Sequence, residues 1–306
     1  MAFTESEVIA LLAQVFASSN PNLEVGIGDD AAVVRTSNRT VITTDMAVEG
    51  VHFRQEWSSA FEIGRKITAA NLADVFSMGA KPTFLVVAVS LTGQEDLEWI
   101  KNLAKGIAFE ANLVGAAVVG GDLAKGAAVT IAITALGEVE TAILRSGAQV
   151  GDQIYLSNLP GWSSAGLAIL ESGLPIETEA AKRAVAAFRA PTLNYVYAAN
   201  LAKASAMSDV SDSLMTQAEQ MAVASKVNFN LDFNLVQASP DFAELRALSQ
   251  ELNISIADLI LGGGEDHVFL ATGEDLPGLL IGKVSEGTGL NVLGNEKAPD
   301  TWRHFD

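Results

Sequence analysis

Five acidic segments hold the residues best suited to chemistry: Gly28-Asp29-Asp30, Thr43-Thr44-Asp45, Asn71-Leu72-Ala73-Asp74, Gly120-Gly121-Asp122 and Ser208-Asp209-Val210-Ser211-Asp212. Each carboxylate sits beside Gly, Ser, Thr or Asn and next to an apolar run, whereas acids of solvated helix faces usually mix with Lys, Glu and Gln. A carboxylate at the margin of a core needs a partner. With no Cys and only three His in the chain, soft-metal sites are excluded, and the fitting partner is a hard cation bound by oxygen, magnesium above all. Several carboxylates around more than one ion would neutralise a triphosphate and stabilise the charge that develops during phosphoryl transfer. Any one of these Asp residues reads equally well as a helix cap or turn residue; the five segments together point to a cation. Gly26, Gly28, Gly120 and Gly121 would let the backbone approach a ligand where a Cβ would interfere. Neither a G-x-x-x-x-G-K-[ST] loop nor a protein-kinase catalytic loop is present, so a phosphotransferase here would use another architecture.

The elements that must position these residues alternate in type. Apolar spacing predicts helices over residues 3 to 17, 61 to 78 and 97 to 113, the second placing Asn71 and Asp74 on one face. Short apolar or β-branched runs predict strands at 31 to 34, 40 to 43, 83 to 91, 116 to 119 and 129 to 139. The first two lie beside Asp29-Asp30 and Asp45, so carboxylates are expected at strand ends. The run Phe84 to Val89 reads as a strand buried on both faces. Small and polar residues at 145 to 152 predict a boundary between an N-terminal domain (1–144) and a C-terminal α/β domain (145–306). Strands at 154 to 157, 268 to 271 and 279 to 284 and helices at 163 to 171 and from 179 onward are expected in the second.

Length supports two domains: 306 residues, nearly half of them hydrophobic, suffice for helix-on-sheet layers. Against 19 Lys and Arg stand 37 Asp and Glu, a net charge of −18, which argues against nucleic-acid and anionic-membrane partners. The absence of Cys suits a reducing compartment, and Glu5 and Glu7 replace the basic residues of a secretory leader. A cytoplasmic, soluble protein is expected.

The segments GIGDDAAVV (26–34), TTDMAVEGVHF (43–53), NLADVFSMGAKP (71–82), VGGDLAKG (119–126), RSGAQVGD (145–152), SDVSDSL (208–214), GGGEDHVF (262–269) and WRHF (302–305) follow one another across almost the whole chain. In this order the sequence resembles the thiamine-monophosphate kinase family of the aminoimidazole ribonucleotide synthetase superfamily. The resemblance implies an α/β (α+β) two-domain fold whose N-terminal domain shares a β-barrel with a second subunit, hence a homodimer, with ATP and magnesium bound by the N-terminal domain. It implies ATP-dependent conversion of thiamine monophosphate to thiamine diphosphate with more than one Mg2+. Asp29, Asp30, Thr43, Thr44, Asp45, Asp74, Asp122, Asp209 and Asp212 fall at or beside its metal-binding positions, Asp45, Asp122 and Asp212 being the catalytic carboxylates. Gly121, Asp122, Arg145 and Ser211 match nucleotide-contacting positions, and His52, Glu265 and Trp302 match positions that contact thiamine monophosphate. The chain departs from the family at Ser213 in place of Gly, at Gln217 in place of a further acid, at Ala73 in place of Ser, and at His267-Val268-Phe269 in place of Tyr-Glu-Leu. Another enzyme of the superfamily, or a nucleotide-binding protein with weakened catalysis, remains open on these residues; its cysteine-dependent members are disfavoured.

Overall fold

The computed structural model describes residues 4–27, 31–201 and 203–294. The chain forms two compact units, Met1–Phe76 with Ala80–Glu140 and Ser77–Gly79 with Thr141–Asp306.

The first unit contains α1 (Glu5–Val15), β1 (Leu23–Val25), β2 (Val33–Val34), β3 (Arg39–Val48), α2 (Ala60–Ser77), β4 (Lys81–Leu91), α3 (Leu97–Leu113), β5 (Ala117–Lys125) and β6 (Thr130–Val139). Its main sheet has the order β3-β6-β4-β5, with β4 and β5 parallel and the other pairs antiparallel, so β3 and β5 are its two edges. Helix α3 begins where the Asp96 carboxylate accepts the Trp99 N–H at 2.7 Å, and it buries Ile100, Leu103, Ala104, Ile107 and Ala111 at the spacing of one helix face. It packs closely on α2 through glycine: a Cβ on Gly64 would strike the Leu103 carbonyl, and one on Gly106 the Phe61 carbonyl.

Three readings of the sequence are corrected. Strand β3 runs through Thr43-Thr44-Asp45 to Val48, so Asp45 lies inside a ten-residue strand rather than beyond its end. The strand expected to stop at Val119 continues through Gly120-Gly121-Asp122 to Lys125, because pairing with β4 supplies the hydrogen bonds that apolar patterning did not advertise. In β4, Leu85 and Val87 are buried while Val86 and Ala88 are exposed. One sheet face is therefore open within a single chain, and it carries Ile42 at 66 %, Met46 at 58 % and Val86 at 36 % exposure.

The second unit contains β7 (Gln153–Leu156), α4 (Trp162–Ser172), α5 (Glu179–Arg189), α6 (Tyr195–Ala199), β8 (Ala206–Val210), α7 (Leu214–Ser225), β9 (Asn228–Asp232), α8 (Phe233–Val236), α9 (Phe242–Glu251), β10 (Val268–Gly273), β11 (Leu279–Ser285) and β12 (Gly289–Leu293). Its sheet has the order β12-β9-β11-β7-β10-β8. Ile154, Leu156, Phe229, Leu270 and Ile281 pack with Leu214, Met221 and Leu245 in one buried cluster. Strand β8 and helix α7, which flank Ser211-Asp212-Ser213, are the elements that aim the last acidic segment.

Among the described residues no helix is long and apolar enough to cross a membrane. Gly106→Ala should destabilise the first unit by about 1–3 kcal/mol, since two helix backbones must separate to admit one methyl group; an unchanged melting temperature would refute this close approach.

Candidate functional site

In the first unit, strand alternation turns Thr43 and Asp45 toward α2. The Thr43 hydroxyl donates to Asp74 Oδ2 at 2.6 Å, and the Asp45 N–H donates to Asn71 Oδ1 at 3.1 Å. Asn71 is fully buried and donates its own amide to the Ile67 carbonyl at 2.9 Å. It therefore fixes the β3 backbone at Asp45, while Asp74, one helical turn later, is fixed by Thr43. Thr43, Asp45, Asn71 and Asp74 thus form one cluster. Thr44 occupies the alternate β3 position, its hydroxyl donating to the Ile133 carbonyl at 3.0 Å and accepting from Thr134 at 3.3 Å.

His52 closes the turn after β3. Its Nδ1 accepts the Val48 N–H at 3.1 Å, which leaves Nε2 as the ring nitrogen that donates. Gly121 and Asp122 stand on β5, paired with Val87 and Ala88 of β4. A Cβ at Gly121 would strike the Val87 carbonyl, so glycine is needed for this strand approach. Asp122 is consequently separated from Asp45 by two intervening strands, roughly 14 Å at the usual interstrand spacing. Beside β5 a cavity of about 780 Å³ is lined by Gly120, Gly121 and Asp122 and by apolar residues including Val87, Leu103 and Ile107.

In the second unit the Ser208–Asp212 segment is gripped by the loop at 263–267. Glu265 N–H donates to the Ser211 carbonyl at 2.6 Å and His267 N–H to the Val210 carbonyl at 3.0 Å. His267 Nδ1 lies 2.8 Å from Asp209 Oδ2, with both side chains buried. Gln217, which is buried, accepts the Ser213 N–H at 3.0 Å and donates to Ser211 Oγ at 3.3 Å and Asp212 Oδ2 at 3.4 Å. Arg145 is exposed, with Nη1 donating to Gln220 at 3.0 Å. Asp209, Ser211, Asp212 and Glu265 are therefore neighbours.

Sequence reasoning gave Asp266 no role and named His267 only as a departure from the family pattern; the signal was a Glu-Asp-His run after three glycines. Asp266 accepts the N–H groups of Gly161 (2.7 Å) and Ser163 (2.9 Å) at the start of α4. Burial pushes its carboxyl from the usual 3.8 up to about 6, against the opposing pull of those N–H donors.

Among the described residues no three acidic or imidazole side chains come together as a ready cation site. The oxygen donors do fit magnesium, an ion that keeps several waters and takes phosphate oxygens as ligands. Asp29, Asp30 and Trp302 lie outside the described residues.

Comparison with known proteins places this geometry in a family. The model of the AIR synthase related protein, N-terminal domain, matches residues 28–139. The thiamine-monophosphate kinase of Corynebacterium glutamicum is 35 % identical over 297 residues, covering 91 % of this chain and 88 % of that protein. That of Aquifex aeolicus is 30 % identical, covering 91 % and 92 %. The solved thiamine-monophosphate kinase of Stenotrophomonas maltophilia superimposes with a TM-score of 0.80 at 29 % identity, covering 95 % of this chain and 96 % of that one. A solved complex, AaThiL with AMPPCP and TMP, gives 0.81 at 28 % identity, covering 98 % and 97 %. The α/β fold is that of the AIR synthase-related proteins. Within them, the chain belongs to the thiamine-monophosphate kinase family.

The raised pKa of Asp266 has a definite sign. Its folded value exceeds the unfolded one, so its contribution to stability is complete below about pH 3.8 and is lost as pH rises through about 6. Between pH 3.5 and 7 the protein should lose about 3 kcal/mol more than Asp266→Asn does, at ~1.4 kcal/mol per pH unit. Urea unfolding of both across this range is the measurement, and parallel pH profiles would show that the carboxyl is not perturbed.

Proposed function

We propose that the protein transfers the γ-phosphoryl group of ATP directly to the phosphate of thiamine monophosphate, giving thiamine diphosphate and ADP. The observation that carries this reading is 35 % identity over 91 % of the chain to a thiamine-monophosphate kinase. A neighbour of the same fold solved with AMPPCP and TMP supports it.

The acceptor is already a phosphate anion at neutral pH, so no strong general base is required. Positioning and electrostatics are left to lower the barrier. Asp30, Thr44, Asp45, Asp74, Asp122, Asp209 and Asp212, with Asp29 and Thr43 beside them, would hold Mg2+. When bound, more than one such ion neutralises phosphate oxygens and supports the charge of an in-line transfer. The Thr43 and Asn71 contacts keep Asp74 and the Asp45 backbone in place for that task. Gly121, Asp122, Arg145 and Ser211 would meet the nucleotide, and the cavity lined by Gly121 and Asp122 has a volume suited to a ligand of that size. His52, Glu265 and Trp302 would meet the thiamine phosphate, whose thiazolium cation favours a carboxylate and an aromatic face.

A homodimer is part of this proposal. Two observations support it: the open apolar face of the first unit's sheet, and the placement of Asp45 and Asp122 on opposite edges, which lets a second copy bring the two kinds of carboxylate together. We also place the protein in the cytoplasm, a reducing compartment that suits a chain without Cys.

Incubation with ATP, Mg2+ and thiamine monophosphate should yield thiamine diphosphate and ADP in equal amounts; ADP release without a phosphorylated thiamine product would overturn the assignment. Asp45→Asn and Asp122→Asn should each lower kcat by about 100-fold or more with the melting temperature kept within a few degrees, and near-normal turnover at saturating Mg2+ would make those carboxylates structural. Light scattering at micromolar concentration should give twice the chain mass, a monomer mass being the contrary result.

A further inference from the structure

The loop that grips Asp209 is conformationally expensive. Glu265 (φ 65°) and His267 (φ 48°) both occupy the left-handed region although neither is glycine, a strain that persists only where surrounding contacts over-determine the backbone. Those contacts are present. Between the two residues Asp266 binds the N–H groups of Gly161 and Ser163. Glu265 and His267 donate backbone N–H groups to Ser211 and Val210, and Gly264 lies so close that a Cβ would come within 2.5 Å of the Ser211 and Asp212 carbonyls. One product of this arrangement is the orientation of the imidazole, whose Nδ1 meets Asp209 Oδ2 at 2.8 Å with side-chain exposures of 8 % and 3 %.

Resting on the reading of Asp209 as a cation-facing carboxylate, we propose that His267 is a positioning residue that fixes which oxygen of Asp209 is presented to Mg2+. Nδ1 engages Oδ2 and so sets the plane of the carboxylate. Among the described residues Oδ1 has no hydrogen-bond partner, and it is the oxygen left for the ion. Outer partners of ligating carboxylates commonly change metal affinity 10- to 100-fold when removed.

The test is Mn2+ affinity of the full-length, nucleotide-free protein, followed by the EPR signal of free Mn2+, in the wild type, Asp209→Asn, His267→Ala, His267→Asn and His267→Gln. Asn carries Nδ2 at the same number of bonds from Cα as His Nδ1, and it tolerates the left-handed backbone. Gln places its amide one bond further out. We expect Asp209→Asn, His267→Ala and His267→Gln to weaken Mn2+ binding by about 10- to 100-fold and His267→Asn to stay within about threefold of wild type. A wild type that binds no Mn2+, or an Asp209→Asn variant that binds it normally, would overturn the ligand reading and the inference with it. Weakened Asp209→Asn beside an unaffected His267→Ala would overturn only the positioning role. If His267→Ala does not fold, the remaining pair decides, equal affinities for His267→Asn and His267→Gln counting against the inference.

Discussion

Acidic side chains held in partly buried surroundings are the constraint on which each unit of this molecule is organised. A carboxylate removed from water costs free energy unless something donates to it. Donors here include neutral or weakly basic groups: the Thr43 hydroxyl for Asp74, the His267 imidazole for Asp209, the Gln217 amide for Asp212 and two backbone N–H groups for Asp266. Such donors hold an acid in place without bringing a full opposite charge to it. A lysine at the same positions would close the site with an internal ion pair. Fixed ion pairs are indeed found away from these segments, as between Arg65 and the buried Glu110, or between Arg183 and Asp241 with Glu244.

The architecture follows from where those donors must stand. Helix α2 presents Asn71 and Asp74 one turn apart, and β3 lays Thr43 and Asp45 along them at strand spacing, so two regular periods meet at one cluster. In the second unit the acids belong to the end of β8 and the loop into α7, and the opposing groups arrive on the loop leading into β10. Antiparallel pairing of β8 and β10 sets Phe269 against Asp209, which brings His267 onto it. The cost of two left-handed non-glycine residues falls at this crossing, where Asp266 anchors the loop to the start of α4. Strain, burial and charge coincide at one loop, which is the usual place for them in a protein whose function depends on holding groups where they would not go by themselves.

Local physical chemistry was legible in the sequence. Asp96 and the apolar spacing behind it define α3 over Leu97–Leu113 without help from distant residues, and the same logic placed α2 and α4 within a residue or two. Residue types also limited the chemistry: with no Cys and few His, clustered carboxylates beside small polar residues left a hard cation and phosphate as the fitting partners, and the ordered motifs led to the family. Tertiary structure decided what depends on neighbours. The polar run Thr43-Thr44-Asp45 and the glycines of β5 carry weak strand signals, and only pairing with β6 and β4 keeps them extended. The exposure of Val86 is set by which face of β4 the rest of the unit covers, not by its apolar neighbours in the chain. Asp266 and His267 looked ordinary because their partners, Gly161, Ser163 and Asp209, lie 105, 103 and 58 positions away. A side chain's local surroundings fix its helix or strand, but the role of a buried acid or imidazole is set by the group it faces, and only folding brings that group to it.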